Sequence, residues 1–318
     1  MNPPLQPGMT VGTYTLTEHL NDYQSNGIML PTWKAHDGQD YVLRMELLVN
    51  RHGDYWHTAS IPYESKTYGI GHLAASKAKQ IDPLLALPPI PGLATLLDCG
   101  IYEPTDTLSA LVICRRYYPQ RLTERFPPDA DHPPTPALLD AFAVIAQALD
   151  TLSAHLPELD FDLSPGDLLM DGDSPVIVDY GLSLFYKLVA FNQRMPFSRI
   201  ERDRKVPLVA SYPNEDDLIG KTDAQYATAA LYVYVRSRYM IFEDQADPFM
   251  EDDFLPTMMR LKHIYDAVKQ YQENGSLNLW MLPDEREKAV VARALAQDAA
   301  SRYASSVAFV EALRTLSQ

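Results

Sequence analysis

The second half of the chain carries a helical period. Leu139, Phe142, Ile145, Ala146, Leu149 and Leu152 recur at steps of three and four, which places all six on one stripe of a helix that faces a core. Further helices are predicted over 224–236, 255–271, 283–297 and 305–316. The first half reads differently. Residues 14–17 (Tyr-Thr-Leu-Thr) alternate and are rich in strand formers, and the runs 29–35 and 41–47 flank Asp37-Gly38, a hairpin turn signal. A helix is predicted over 63–78, then strands over 93–102 and 108–115 joined near Glu103-Pro104-Thr105-Asp106. A small hairpin, 168–170 with 176–178, turns at Asp171-Gly172-Asp173, and an irregular stretch follows over 184–214. Prolines mark loops at Pro88-Pro89-Ile90-Pro91, Pro127-Pro128 and Pro133-Pro134-Thr135-Pro136. A strand-rich half thus precedes a larger helical one. With 318 residues, near the limit for a single core, this predicts an α+β chain with two lobes.

Composition narrows the function classes. The 46% apolar and 22% charged residues are ordinary for a globular protein. A formal charge of −15 argues against nucleic acid or anionic membrane as partner. Two cysteines, Cys99 and Cys114, make no disulfide framework and fit a reducing compartment. Met1-Asn2-Pro3-Pro4 lacks the basic region and apolar run of a signal peptide, and uncharged apolar stretches such as 227–235 fall short of the roughly 20 residues that span a bilayer. The expectation is a cytoplasmic protein that binds neither membrane nor nucleic acid.

The chemistry concentrates in Asp160-Phe161-Asp162-Leu163-Ser164-Pro165-Gly166-Asp167, followed by Val176-Ile177-Val178-Asp179-Tyr180-Gly181. These segments resemble the catalytic and metal-binding loops of the protein kinase family, H-R-D-L-x-x-x-x-N and D-F-G. The resemblance implies Asp162 as the catalytic carboxylate and Asp167 with Asp179 as metal ligands. Three carboxylates gathered in a small volume need a divalent cation to offset their repulsion. Asp171 and Asp173 read as solvated turn residues instead.

The resemblance runs along nearly the whole chain, and its bacterial Hanks-type Ser/Thr branch fits best. Tyr41-Val42-Leu43-Arg44-Met45 falls where the family has V-A-I-K, so Arg44 stands at the phosphate-contacting lysine and Glu64 is its expected helix partner. Leu111-Val112-Ile113-Cys114-Arg115-Arg116 looks like the strand that enters the hinge, which implies Ile113 and Cys114 beside the nucleotide. Ser211-Tyr212-Pro213-Asn214-Glu215 resembles the end of an activation segment. Ala292 to Asp298 and Ser301-Arg302-Tyr303 resemble the close of the domain, which implies a buried Glu215–Arg302 pair. The implied architecture is one bilobal kinase-like domain. It has a tail over 1–10, a small lobe of antiparallel sheet plus one helix over 11–116, and a larger helical lobe over 117–318.

Several positions depart from the family pattern. The expected phosphate loop, 20–35, contains one glycine, Gly27. Arg44 keeps a positive charge, but a planar guanidinium is not a compact ammonium. Ser164 lacks the lysine that contacts the transferred phosphate, and Asp167 replaces a neutral Asn, so the site is two units more negative than usual. Phe161 replaces the arginine that receives an activation-loop phosphate. Phosphoryl transfer is largely positioning and charge neutralisation, so each lost cation matters. The expected function is a degenerate protein kinase, a regulatory or protein-binding module with residual binding of ATP and Mg²⁺ or Mn²⁺ to which Ser164 would contribute. The alternative is an active atypical Ser/Thr kinase. The basic run Arg194, Arg199, Arg202, Arg204 and Lys205 reads either as a solvated loop, or as a docking surface for an acidic protein partner or an arm that folds over the acidic cleft.

Overall fold

The computed structural model describes residues 5–25, 28–50, 78, 81–105, 108–157, 161, 163, 165–178, 180, 224–239, 241, 267, 270–271 and 273–316, with the side chains of 21–31, 46–50, 105 and 108 excepted. The predicted helix over 63–78 and most of that over 255–271 lie outside these residues, as do the basic run 194–205 and Glu215. Contacts divide the described residues into two units. One holds those up to Pro89 together with Ala94–Tyr117, and the other holds Ile90–Leu93 and those from Tyr118 onward.

The first unit is an antiparallel sheet of six strands: β1 (Thr10–Val11), β2 (Tyr14–Ser25), β3 (Ile28–His36), β4 (Asp40–Asn50), β5 (Leu96–Thr105) and β6 (Leu108–Arg116), in the order β1-β2-β3-β4-β6-β5. The β3–β4 hairpin turns where Asp37-Gly38 predicts it, and Gly38 takes a φ of +74° that a side chain would disfavour. β5 starts later than its apolar run, because Leu93 belongs to the second unit and bridges to Ile177 there. A helical turn, α1 (Asp82–Leu85), packs on β5.

One face of the sheet buries Leu16, Trp33, Ala35, Leu43, Met45, Ala110, Val112 and Cys114. The tail expected through residue 10 is part of this core from Leu5 onward. Leu5 is 1% exposed, and the Gly8 amide donates to Leu16 O at 2.8 Å while the Leu16 amide donates to Met9 O at 2.9 Å. Leu5, Met9 and Val11 cover apolar surface that water would otherwise contact. β1 and β5, the outermost strands, converge on the ring of Tyr102. A Cβ on Gly12 would lie 2.6 Å from that ring and one on Gly100 2.7 Å, so both positions need glycine, and the Tyr102 hydroxyl donates to Asp98 Oδ2 at 2.5 Å.

The second unit begins with β7 (Gln120–Arg121) and the helical turn α2 (Leu122–Arg125), followed by α3 (Pro136–His155). Thr135 accepts the Leu138 amide at 3.2 Å and Pro136 occupies the first turn, where its missing donor costs nothing. All six residues of the predicted stripe are buried. Among the described residues α3 is also the one helix long and apolar enough to cross a membrane, but half of it is buried inside the fold. Its Asp150 accepts the Ser306 and Val307 amides, each at 3.1 Å, which caps α6 (Ser306–Leu316). α4 (Ala224–Ser237) is buried nearly all round, and Tyr232 meets Phe142 of α3 and Phe309 of α6 edge-on. α5 (Glu285–Ala294) is shorter than its predicted span; Asp284 caps its start and Asp298 opens a separate 3-10 turn.

α4 and α5 share a buried ion pair. Arg236 Nε lies 2.9 Å from Glu287 Oε1, with both side chains 2% exposed. The same guanidinium donates to the backbone oxygens of Asp129, Ala130 and His132. The His132 ring lies 2.6 Å from Asp129 Oδ1, and that carboxylate raises the His132 pKa. A raised value stabilises the fold below the ordinary histidine pKa and loses that contribution as pH climbs through the shifted value. The melting temperature is therefore expected to fall slightly as pH rises above the ordinary histidine value of about 6.5, and the fall should be absent in His132→Asn. Equal profiles for both proteins would refute the assignment.

Candidate functional site

Within the second unit the candidate loop is carried by a hairpin of β8 (Leu168–Asp171) and β9 (Ser174–Ile177), with β7 paired to β8. Gly172 has a φ of +63° in the turn, and Asp171 and Asp173 are exposed, as expected of turn residues. Two backbone hydrogen bonds anchor the hairpin. Val178 N–H donates to Asp167 O at 2.8 Å, and Ile177 N–H donates to Gly92 O at 2.8 Å. The first fixes Asp167, half-buried in a 3-10 turn, beside the residue that precedes position 179. Phe161, Leu163, Leu168, Met170, Val178 and Tyr180 are all buried and form the apolar frame around these segments. Phe161 is 1% exposed, so the position where the family carries an arginine belongs here to the core. Asp162, Ser164 and Asp179 lie outside the described residues. Among the described residues no three His, Cys, Asp or Glu side chains gather as a metal cluster. Asp167 could hold a divalent cation only with carboxylates from outside that set, and Asp179 is the expected one.

Within the first unit, Arg44 sits in mid-strand on β4, 3% exposed, opposite Thr32 of β3 and Ile113 of β6. Directly paired residues of an antiparallel ladder share a face, and the face alternates along each strand. Thr32, Arg44 and Ile113 therefore form one row, and Val42 with Arg115 forms the next row on the same face. Cys114 does not join them. It pairs with Leu43 and packs in the core on the opposite face, where burial pushes its thiol pKa up against the smaller opposing effect of a hydrogen bond from Tyr14. The Cys114 side chain thus packs in the core, while Arg44 and Ile113 share a row on the other face. Glu64 lies outside the described residues. Thr32 and Arg115 share the face of Arg44 through strand pairing, which motif reading does not reach.

β2 and β3 form a continuous ladder to Ser25–Ile28, with register shifts near Glu18 and Asn21. Within the segment where a glycine-rich phosphate loop is expected, the described residues are paired strands. Arg302, the expected partner of Glu215, donates from Nε to Ala296 O at 2.6 Å and lies over the Tyr226 ring at 5.2 Å.

No protein-family model matches the chain, and no curated protein matches it. Solved structures do. Two crystal structures of the Mycobacterium tuberculosis PknI kinase domain align with 98% of this chain and 99% of their own, at 16% and 17% identity, with TM-scores of 0.55 and 0.54. The alignment spans both units, and the strand and helix content agrees with it. The chain has a bilobal α+β protein-kinase-like fold.

Proposed function

We propose that the chain is a degenerate protein kinase that works as a regulatory or protein-binding module and retains metal-dependent nucleotide binding. The observation that carries this reading is Arg44. A forked guanidinium, buried in a row with Thr32 and Ile113, occupies the position of a compact ammonium. It can pair with a carboxylate, but it cannot reproduce the single-point contact that aligns phosphates for transfer. The single glycine, Gly27, in the expected phosphate loop and the buried Phe161 support the same reading.

Metal capacity has support in Asp167, which the Val178 amide holds in place. With Asp179 it would bind Mg²⁺ or Mn²⁺, and the cation would offset the carboxylates and the phosphates of ATP. Ser164, lacking a charge, would contribute a hydrogen bond at most. Asp162 would keep its place beside an acceptor hydroxyl without the cations that make transfer fast. The basic run from Arg194 to Lys205 is the proposed contact for an acidic protein partner, and the proposed setting is the cytoplasm.

The test titrates ATP with MgCl₂ or MnCl₂ and follows the melting temperature, with Asp179→Ala as control, alongside labelled phosphate incorporation. We expect a metal-dependent rise that Asp179→Ala loses, and no incorporated label. Label that appears in the parent and disappears in Asp162→Asn would overturn the proposal in favour of an active atypical Ser/Thr kinase. Absence of any nucleotide-dependent rise would remove the residual binding.

A further inference from the structure

We propose that Arg238 is a positioning residue for the metal-binding loop, acting through α2 and the β7–β8 ladder. The proposal deepens the functional reading above and rests on it for its ligand. Three observations carry it. Arg238 is the only described non-glycine residue with a positive φ, +66°, a left-handed backbone that normally selects glycine. Such a departure persists where the side chain gives something back. Its guanidinium donates to Thr123 O, to Phe126 O at 2.7 Å and to Val235 O at 2.8 Å, while its amide closes α4 on Tyr234 O at 2.7 Å.

Thr123 and Phe126 contribute carbonyls at the C-terminal end of α2, which no further turn of helix satisfies. A single four-residue turn does not hold itself together. At its start the Arg121 amide donates to Glu124 Oε2 at 3.1 Å; at its end Arg238 supplies the donors. Arg121 also belongs to β7 and pairs with Leu169 of β8. β8 follows directly on the 3-10 turn that contains Asp167, whose carbonyl accepts the Val178 amide. A continuous path of hydrogen bonds and strand pairing thus runs from the Arg238 guanidinium at the end of α4 to the proposed metal ligand. Burial of Leu122 and the exposed Arg125–Asp173 pair at 3.6 Å lie on the same path, so the measurement has to separate Arg238 from them.

Arg238→Gly removes the guanidinium and leaves a residue suited to the left-handed backbone. Hydrogen exchange of the ligand-free full chain is compared with the parent. We expect about tenfold faster exchange at Arg121, Leu169 and Val178, with the α6 amides unchanged, and a smaller acceleration in Arg238→Lys, which keeps one donor group. Acceleration confined to 122–132, or none, overturns the proposal, whether or not nucleotide binds. If α6 amides accelerate as well in the glycine variant, Arg238→Lys decides by the same criterion. A second arm titrates MnATP by calorimetry. Weaker binding in Arg238→Gly than in the parent supports the link to the ligand. Equal binding overturns that link, and a parent that binds none overturns the residual-binding reading while the exchange result still stands.

Discussion

Replacing Glu287 with alanine is expected to destabilise the protein by about 3–5 kcal/mol, the usual cost of stranding one member of a buried ion pair. Glu287 is enclosed, and each of its oxygens is used. Oε1 accepts from the Tyr232 hydroxyl at 2.6 Å and from Arg236 Nε at 2.9 Å, and Oε2 accepts from an Arg236 terminal nitrogen at 3.1 Å. Without the carboxylate, a cation remains in the core facing only neutral carbonyls, and it cannot escape by losing its proton. The Tyr232 hydroxyl loses its acceptor at the same time. At roughly 2–4 °C per kcal/mol for a domain of 150–250 residues, the melting temperature should fall by on the order of 10 °C. Urea unfolding of the single variants and of Arg236→Met with Glu287→Met together would give the coupling. The double variant should recover part of the loss, because two apolar side chains leave no uncompensated charge. Half-buried Arg314 with exposed Asp140, at 2.7 Å, is the internal comparison, and breaking it should cost no more than about 1 kcal/mol. Equal costs for the two pairs would refute the argument.

The second large effect is expected from restoring the family residue at position 161. Phe161→Arg exchanges a buried aromatic for a cation at a position enclosed by the core. Loss of the aromatic packing alone accounts for about 3–5 kcal/mol, and burial of the guanidinium adds to it. The variant is expected to unfold or to accumulate as insoluble protein, whereas Phe161→Leu should fold at a cost under about 1.5 kcal/mol. Thermal unfolding and soluble yield distinguish these outcomes. An Arg variant as stable as its parent would show that this position still faces solvent and could receive a phosphate, against its 1% exposure here.

The elements legible in the sequence are those whose signal is local. Gly38 and Gly172 mark turns through their left-handed backbones, and the α3 stripe follows from helical period alone. What could not be read depends on distant partners. Arg236 and Glu287 are separated by 51 residues, and nothing around either names the other. Motif matching pointed to a different long-range pair, Glu215 with Arg302; Glu215 lies outside the described residues, and Arg302 donates to the Ala296 carbonyl and lies over the Tyr226 ring. The face of each β6 residue was hidden for a related reason. Ala110 to Cys114 are buried on both sides of the sheet, so the run lacks the alternation that would have told Cys114 from Ile113. Arg238 stands where a glycine is the usual sign of a helix end, and the left-handed turn therefore carried no marker.

Because the Tyr102 ring sits between Gly12 and Gly100, the margins of the small sheet are plugged by a side chain. An incoming extended peptide would find its hydrogen-bonding groups obstructed there. Self-templated fibril growth should not start from this region, and a macromolecular ligand must engage it through side-chain chemistry.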